Sequence, residues 1–199
     1  MTKFKNFVWN ANAKHRLKRC GSALGIFFTA ALLPILVAKA EGPVPFRFSL
    51  VPASTTIETC LPNAAAAVTV LPREDSRGVD TLDLKAEGLP SHTEFSVFLT
   101  ESAVSVGAVQ YIGDFTTNAA GRGSMRVDTI VGDAFSSTVV NGARVRSELN
   151  HIVMWFSDPD ADNFCFAPAT GPITPFDGDT QAGAAALSSK NFLPGSPLP

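Results

Sequence analysis

The sequence predicts an all-β protein, a two-layer antiparallel β-sandwich, on three observations. Between Val79 and Val131, four consecutive stretches alternate apolar with polar residues, as strands do when one face is dry and the other wet. Gly-, Pro- and Asn-Gly-marked turns separate these and several further apolar runs, about nine strands in all. Apolar spacings of three and four, the mark of a helix, are missing from the central stretch. A barrel made of the same strands is the alternative arrangement.

Taken in order, residues 1–40 read as a secretory signal outside the fold. Lys3, Lys5, Lys14, Arg16, Lys18 and Arg19 make a basic start, and Cys20–Ala38 is uncharged. Ala38-Lys39-Ala40 then places small residues three and one before a cut after Ala40. The uncharged run nearly reaches the ~20 residues of a membrane-spanning helix, but Pro34 and the small-x-small site favour cleavage. Cleavage would remove seven basic residues and no acidic one. Residues 41–199 would keep nine basic against eighteen acidic residues, a net charge of −9. Such a surface repels nucleic acid and anionic membrane. The expected partner is an extracytoplasmic protein or glycan, with no membrane insertion after cleavage, and the expected location is secreted, periplasmic or cell-surface. Cys60 and Cys165 are the cysteines left, and in an oxidising compartment they are expected to form a disulfide.

Residues 41–190 suit one domain. Phe46, Phe48 and Leu50 alternate with Arg47 and Ser49 as a first strand between Pro45 and Pro52. Cys60-Leu61-Pro62-Asn63 turns into a small-residue strand, Ala65–Leu71, and a charged loop follows at 72–78. The four central strands, VDTLDLKAE, EFSVFLT, QYIGDFTT and GSMRVDTIV, are expected to pair in succession as a meander. Gly88-Leu89-Pro90 breaks the first pair, and Asn118-Ala119-Ala120-Gly121 has the length of a hairpin loop. Phe135, Thr138 and Val140 mark a strand ending at Asn141-Gly142, with Arg144, Arg146 and Glu148 on an exposed edge. NHIVMWFS, residues 150–157, is apolar on both faces and predicts a strand buried on both sides. Gln181–Ser188 reads as the last strand, and 191–199 as a Pro-rich tail.

Among residues that carry chemistry, Asp158, Asp160 and Asp162 stand out. Carboxylates at alternate positions after a strand are how a loop collects oxygen ligands for Ca²⁺. Asn163 stands where such a loop has its turn glycine, and Ala169 where it has its closing glutamate. Asp177 and Asp179 would supply the missing oxygens if the next loop folded back. The competing reading is an acidic turn capped by its own aspartates. His92 and His151 lack the spacing of a metal pair. No catalytic residue is assigned, because no C-x-x-C is present and Gly121-Arg122-Gly123-Ser124-Met125 fails the nucleophile pattern at its last position. Apart from the Ca²⁺ candidate, no cofactor is expected. Tyr111 and Trp155 are candidates for stacking on a sugar or for the core.

The segments CLPNAAAAVTV (60–70), LKAEGLPSHTEFSVFL (84–99), YIGDFTTNAAGRGS (111–124), NHIVMWFSDPDA (150–161) and TPFDGDTQAG (174–183) carry a resemblance. With them the chain resembles a group of uncharacterised exported bacterial proteins having a single immunoglobulin-like β-sandwich domain. The resemblance implies that fold and export, and no activity. Where members of the group have N-S-P-A-D-A, this chain has Ser157-Asp158-Pro159-Asp160-Ala161-Asp162, so the acidic triplet is a local variation. The expected function is an exported non-catalytic module, binding or structural, acting through loops around residues 158–179. The alternatives are a hydrolase acting on extracellular polysaccharide or ester through a carboxylate pair, and a Ca²⁺-stabilised adhesin-like domain.

Overall fold

Alternation in the sequence becomes strand after strand in the computed structural model, which describes residues 44–72, 78–103, 107–168, 170–175 and 181–189. All of these lie in one unit, Ala40–Pro199. The leader with its cut at Ala38 and Ala40, the tail, and Asp177 and Asp179 lie outside the described residues. The chain is all-β with almost no helix. Its strands are β1 (Phe46–Pro52), β2 (Ala65–Leu71), β3 (Asp80–Glu87), β4 (Glu94–Thr100), β5 (Val109–Thr116) and β6 (Gly123–Thr129). They continue as β7 (Phe135–Val140), β8 (Ala143–Glu148), β9 (His151–Phe156), β10 (Thr174–Pro175), β11 (Gln181–Ala182) and β12 (Ala185–Ser188). A short helix, α1 (Thr55–Cys60), links β1 to β2.

Eight strands form one antiparallel sheet in the order β5-β4-β9-β12-β1-β2-β3-β6, coiled until it nearly closes into a barrel. β1 carries the sheet round its bend. Its residues Phe46–Leu50 pair with β2, and Val51 and Pro52 pair with β12. The two edge strands, β5 and β6, meet across a seam that is packed by side chains. A Cβ built on Gly113 of β5 would stand 2.9 Å from Met125 Cε of β6, and one on Gly123 would strike the Phe115 ring.

That seam corrects the meander. The four central strands form where the alternation places them, but of the three successive pairs only β4–β5 forms; β3 pairs with β2 and β6, and β4 also pairs with β9. The Asn118–Gly121 turn forms all the same. Asn118 O accepts from Gly121 N at 2.9 Å, and Asn118 N donates to Arg122 O at 2.8 Å. Gly121 sits at φ +67°, where a Cβ would also collide with Leu89 O. The turn reverses the chain without zipping its arms together, because β3 and β6 find each other across the sheet.

The inner faces build the main core, where Leu50, Val68, Leu82, Leu84, Phe95, Leu99, Met154 and Phe156 are almost fully buried. The Phe95 ring packs 4.9 Å from Phe156 and 5.7 Å from Phe115, spacings at which aromatic pairs add to area burial. β9 has a second dry side. Val153 and Trp155 face outward into a smaller cluster with Phe98 and Ala182. That cluster accounts for Phe98, which interrupts the polar face of β4: it packs edge-on against Trp155 at 5.4 Å. Ala182 of β11 belongs to this outer cluster, and Val109 and Ala185 pack against it.

Buried polar groups pin the corners. Asp80, 4% exposed, accepts from Val131 N at 2.8 Å and Gly132 N at 2.9 Å, which holds the exit from β6. Ser54 caps α1 by accepting from Ile57 N, and Ile57 is fully buried. The α1 helix was missed because six residues show less than two turns of periodicity. Its signal is Ser54 and Thr55 followed by Ile57-Glu58.

At the end of α1, Cys60 bonds to Cys165 across a separation of 105 residues, with 5.4 Å between their Cα atoms. A bridge of that span removes loop-closure entropy worth about 4–5 kcal/mol from the unfolded chain. Replacing both cysteines by serine is expected to lower stability by about 4 kcal/mol and Tm by roughly 10 °C, with the far-ultraviolet circular dichroism unchanged. A Tm within about 2 °C of the parent in a calorimetric scan would show that the bridge does not constrain the fold.

Candidate functional site

The aspartate run leaves β9 as a single 3₁₀ turn, Pro159–Asp162, and its three carboxylates point in different directions. Asp158 caps the turn, its Oδ1 accepting from Asp160 N at 2.8 Å. Asp160 is exposed, and its Oδ1 accepts from the Asn163 side-chain amide at 3.2 Å. Asp162 turns inward and is 1% exposed. Its Oδ2 accepts from Ala184 N at 2.7 Å. Gly171 and Gly183 clasp it, since a Cβ on the first would lie 2.6 Å from Oδ1 and on the second 2.9 Å from Oδ2. Among the described residues, no group of three His, Cys, Asp or Glu is placed to hold a metal ion.

Asp162 Oδ1 is buried and has no hydrogen-bond partner among the described residues. Burial pushes the Asp162 carboxyl up from the ordinary aspartate value; the Ala184 amide opposes that shift and the neighbouring Asp160 charge adds to it. What this corner does chemically is fasten the entry to β12. The disulfide lies beside it, since Cys165 N donates to Asp162 O at 2.8 Å.

The histidines stand apart. His92 is exposed in a turn at φ 54°, and its N–H donates to Thr117 O. His151 is half-buried at the start of β9, with Nδ1 3.3 Å from Ser189 Oγ, and burial holds its pKa below the usual histidine value. Ser189 is fully buried and also accepts from Ile152 N, which ties it into the sheet. Tyr111 is half-exposed and donates to Asp114 Oδ2 at 2.6 Å. That hydrogen bond, with burial and the negative charge of Asp114, pushes the phenol up to about 12, so it stays protonated. Trp155, at 4% exposure, belongs to the outer core rather than to a surface platform.

A groove of about 790 Å³ lies elsewhere, on the outer face of β1, β2, β3 and β6. A cross-strand row runs through it, Ser49↔Ala67↔Lys85↔Ser124. The small side chains make a floor, while Lys85, Glu87, Asn118 and Arg122 stand along it. Two residues along each strand, Arg47↔Thr69↔Asp83↔Arg126 forms the next row on the same face. Sequence reading found the alternation on each strand and missed the groove, because its residues come from four strands and a loop. The only linear signal was small residues at solvent-facing positions of β1, β2 and β6.

Compared with known proteins, the chain matches no family model, no curated protein and no solved structure.

Two outcomes follow for the acidic corner. A raised carboxyl pKa means that the folded chain binds this proton more tightly than the unfolded chain. Asp162 therefore adds stability as pH falls from its raised folded value toward 3.8, and costs stability near neutrality. Relative to Asp162→Asn, the parent protein should gain stability in urea melts as pH is lowered from about 7 to about 4; a pH-independent difference would remove the assignment. Separately, excess Ca²⁺ followed by chelator should leave Tm unchanged, because an ion bound only by the native state must raise it. A rise that the chelator reverses would restore the calcium loop.

Proposed function

We propose that the chain is an exported, non-catalytic module of the immunoglobulin-like β-sandwich type, related to the exported group it resembles. It acts by binding at the outer face of β1, β2, β3 and β6. The disulfide carries the exported part: a bridge between Cys60 and Cys165 is compatible with an oxidising, extracytoplasmic setting and gains most there. The sandwich reading is supported by β1, which divides its pairing between β2 and β12 as a strand shared by two layers would. The binding surface is argued from the groove, where small side chains admit a ligand close to the sheet and polar side chains flank it.

The acidic corner is the weaker binding surface, since Asp158 and Asp162 are engaged by backbone amides. Mass spectrometry of material recovered outside the cytoplasm tests the reading. The expected result is a chain beginning at Glu41 and a Cys60–Cys165 linked peptide in the unreduced digest. A chain still carrying residues 1–40, with both thiols alkylated without reductant, would overturn it.

A further inference from the structure

We infer that the groove binds a linear glycan carrying carboxylates, of the polyuronate class. This rests on the outer face being the binding surface. Six basic residues are described, and four of them, Arg47, Lys85, Arg122 and Arg126, lie on this face. They do so on a chain whose residues 41–199 carry a net charge of −9. Among the described residues, only Arg122 of these four makes an ion pair, with Glu87 at 3.8 Å. Both of its partners are about two-thirds exposed, so the pair is weak and open to exchange with a ligand carboxylate.

The arrangement of charge selects the ligand. The cations do not converge on one point, as a pocket for a small anion would require. They lie on β1, β3, β6 and the turn before β6, and the sheet from β1 to β6 is four strands wide, three intervals of about 4.8 Å, which suits an extended polymer. Asp83, Glu87 and Asp128 stand among them on the same face. Double-stranded DNA, with a charge every ~1.7 Å, would set phosphates against those carboxylates. A glycan with one carboxylate per sugar offers both kinds of group. Its carboxylates accept from Lys85, Arg122 and Arg126, and its hydroxyls donate to Asp83, Glu87 and Asp128. An acidic peptide lacks that row of hydroxyl donors.

The test is titration of the purified, disulfide-bonded protein by calorimetry with a short oligogalacturonate, a neutral glucan oligomer and poly-glutamate. The expected result is binding to the oligogalacturonate alone, weakened roughly tenfold or more by Lys85→Gln with Arg126→Gln. It should be abolished when salt rises from about 0.1 M to about 1 M, which shortens the screening length from ~10 Å to ~3 Å. Ala67→Tyr, an exposed substitution on the groove floor, should block it with Tm unchanged. Equal binding of the neutral glucan, lost in Ala67→Tyr, would overturn the carboxylate class and leave the groove as the binding surface. Binding of poly-glutamate in place of the uronate would overturn the glycan. Oligogalacturonate binding untouched by Ala67→Tyr would overturn the surface itself. No binding to any probe would overturn the ligand class, while export and disulfide mapping report separately on the proposed function.

Discussion

β9 has no wet side, and much of the architecture follows from covering both of its faces. Ile152, Met154 and Phe156 point into the main core, while Val153 and Trp155 point out of it. Each such side chain is worth about 1.5–3 kcal/mol when removed from water, so neither face can be left open. The inner face meets Phe95, Leu99 and Leu187. The outer face draws Phe98 from β4 and Ala182 from β11 over Trp155. A central position between β4 and β12 satisfies the backbone of the same strand on both edges.

A sheet organised in this way must bend, and its bends are held by groups that cannot be removed cheaply. β1 turns by changing partners halfway along its length. Asp80 holds the corner after β6, Asp162 holds the approach to β12, and the Cys60–Cys165 bridge joins α1 to the segment after β9. The β7–β8 ribbon is built on different terms. It turns at Asn141 and Gly142 with φ of 51° and 80°, the positive values a tight hairpin needs. Its outward face is held together by Arg146 lying 3.5 Å over the Phe135 ring and paired with Glu148 at 2.6 Å.

The acidic triplet and the cationic face carry opposite lessons about reading charge. Asp158, Asp160 and Asp162 look like a ligand set in line, but one caps a turn, one faces solvent and one is buried against Ala184. Arg47, Lys85, Arg122 and Arg126 are scattered through eighty residues and assemble on one face. Proximity along the chain made the first set conspicuous. Register made the second.

What the sequence determined by itself was local. Period-2 alternation located β1 to β6 almost to the residue, the Asn-Gly pair marked the β7–β8 turn, and the unbroken apolar run marked a strand buried on both sides. Cys60 and Cys165, the two cysteines outside residues 1–40, were enough to name the bridge. Partner choice was decided by the tertiary structure alone. Alternation says which side of a strand is dry, and it carries no information about which strand lies beside it. A meander and the observed order bury the same faces, so the choice falls to contacts such as Phe115 on Gly123 and Phe98 on Trp155, which exist only once distant segments are packed together. The groove inherits that dependence, because its lining is a product of register between strands.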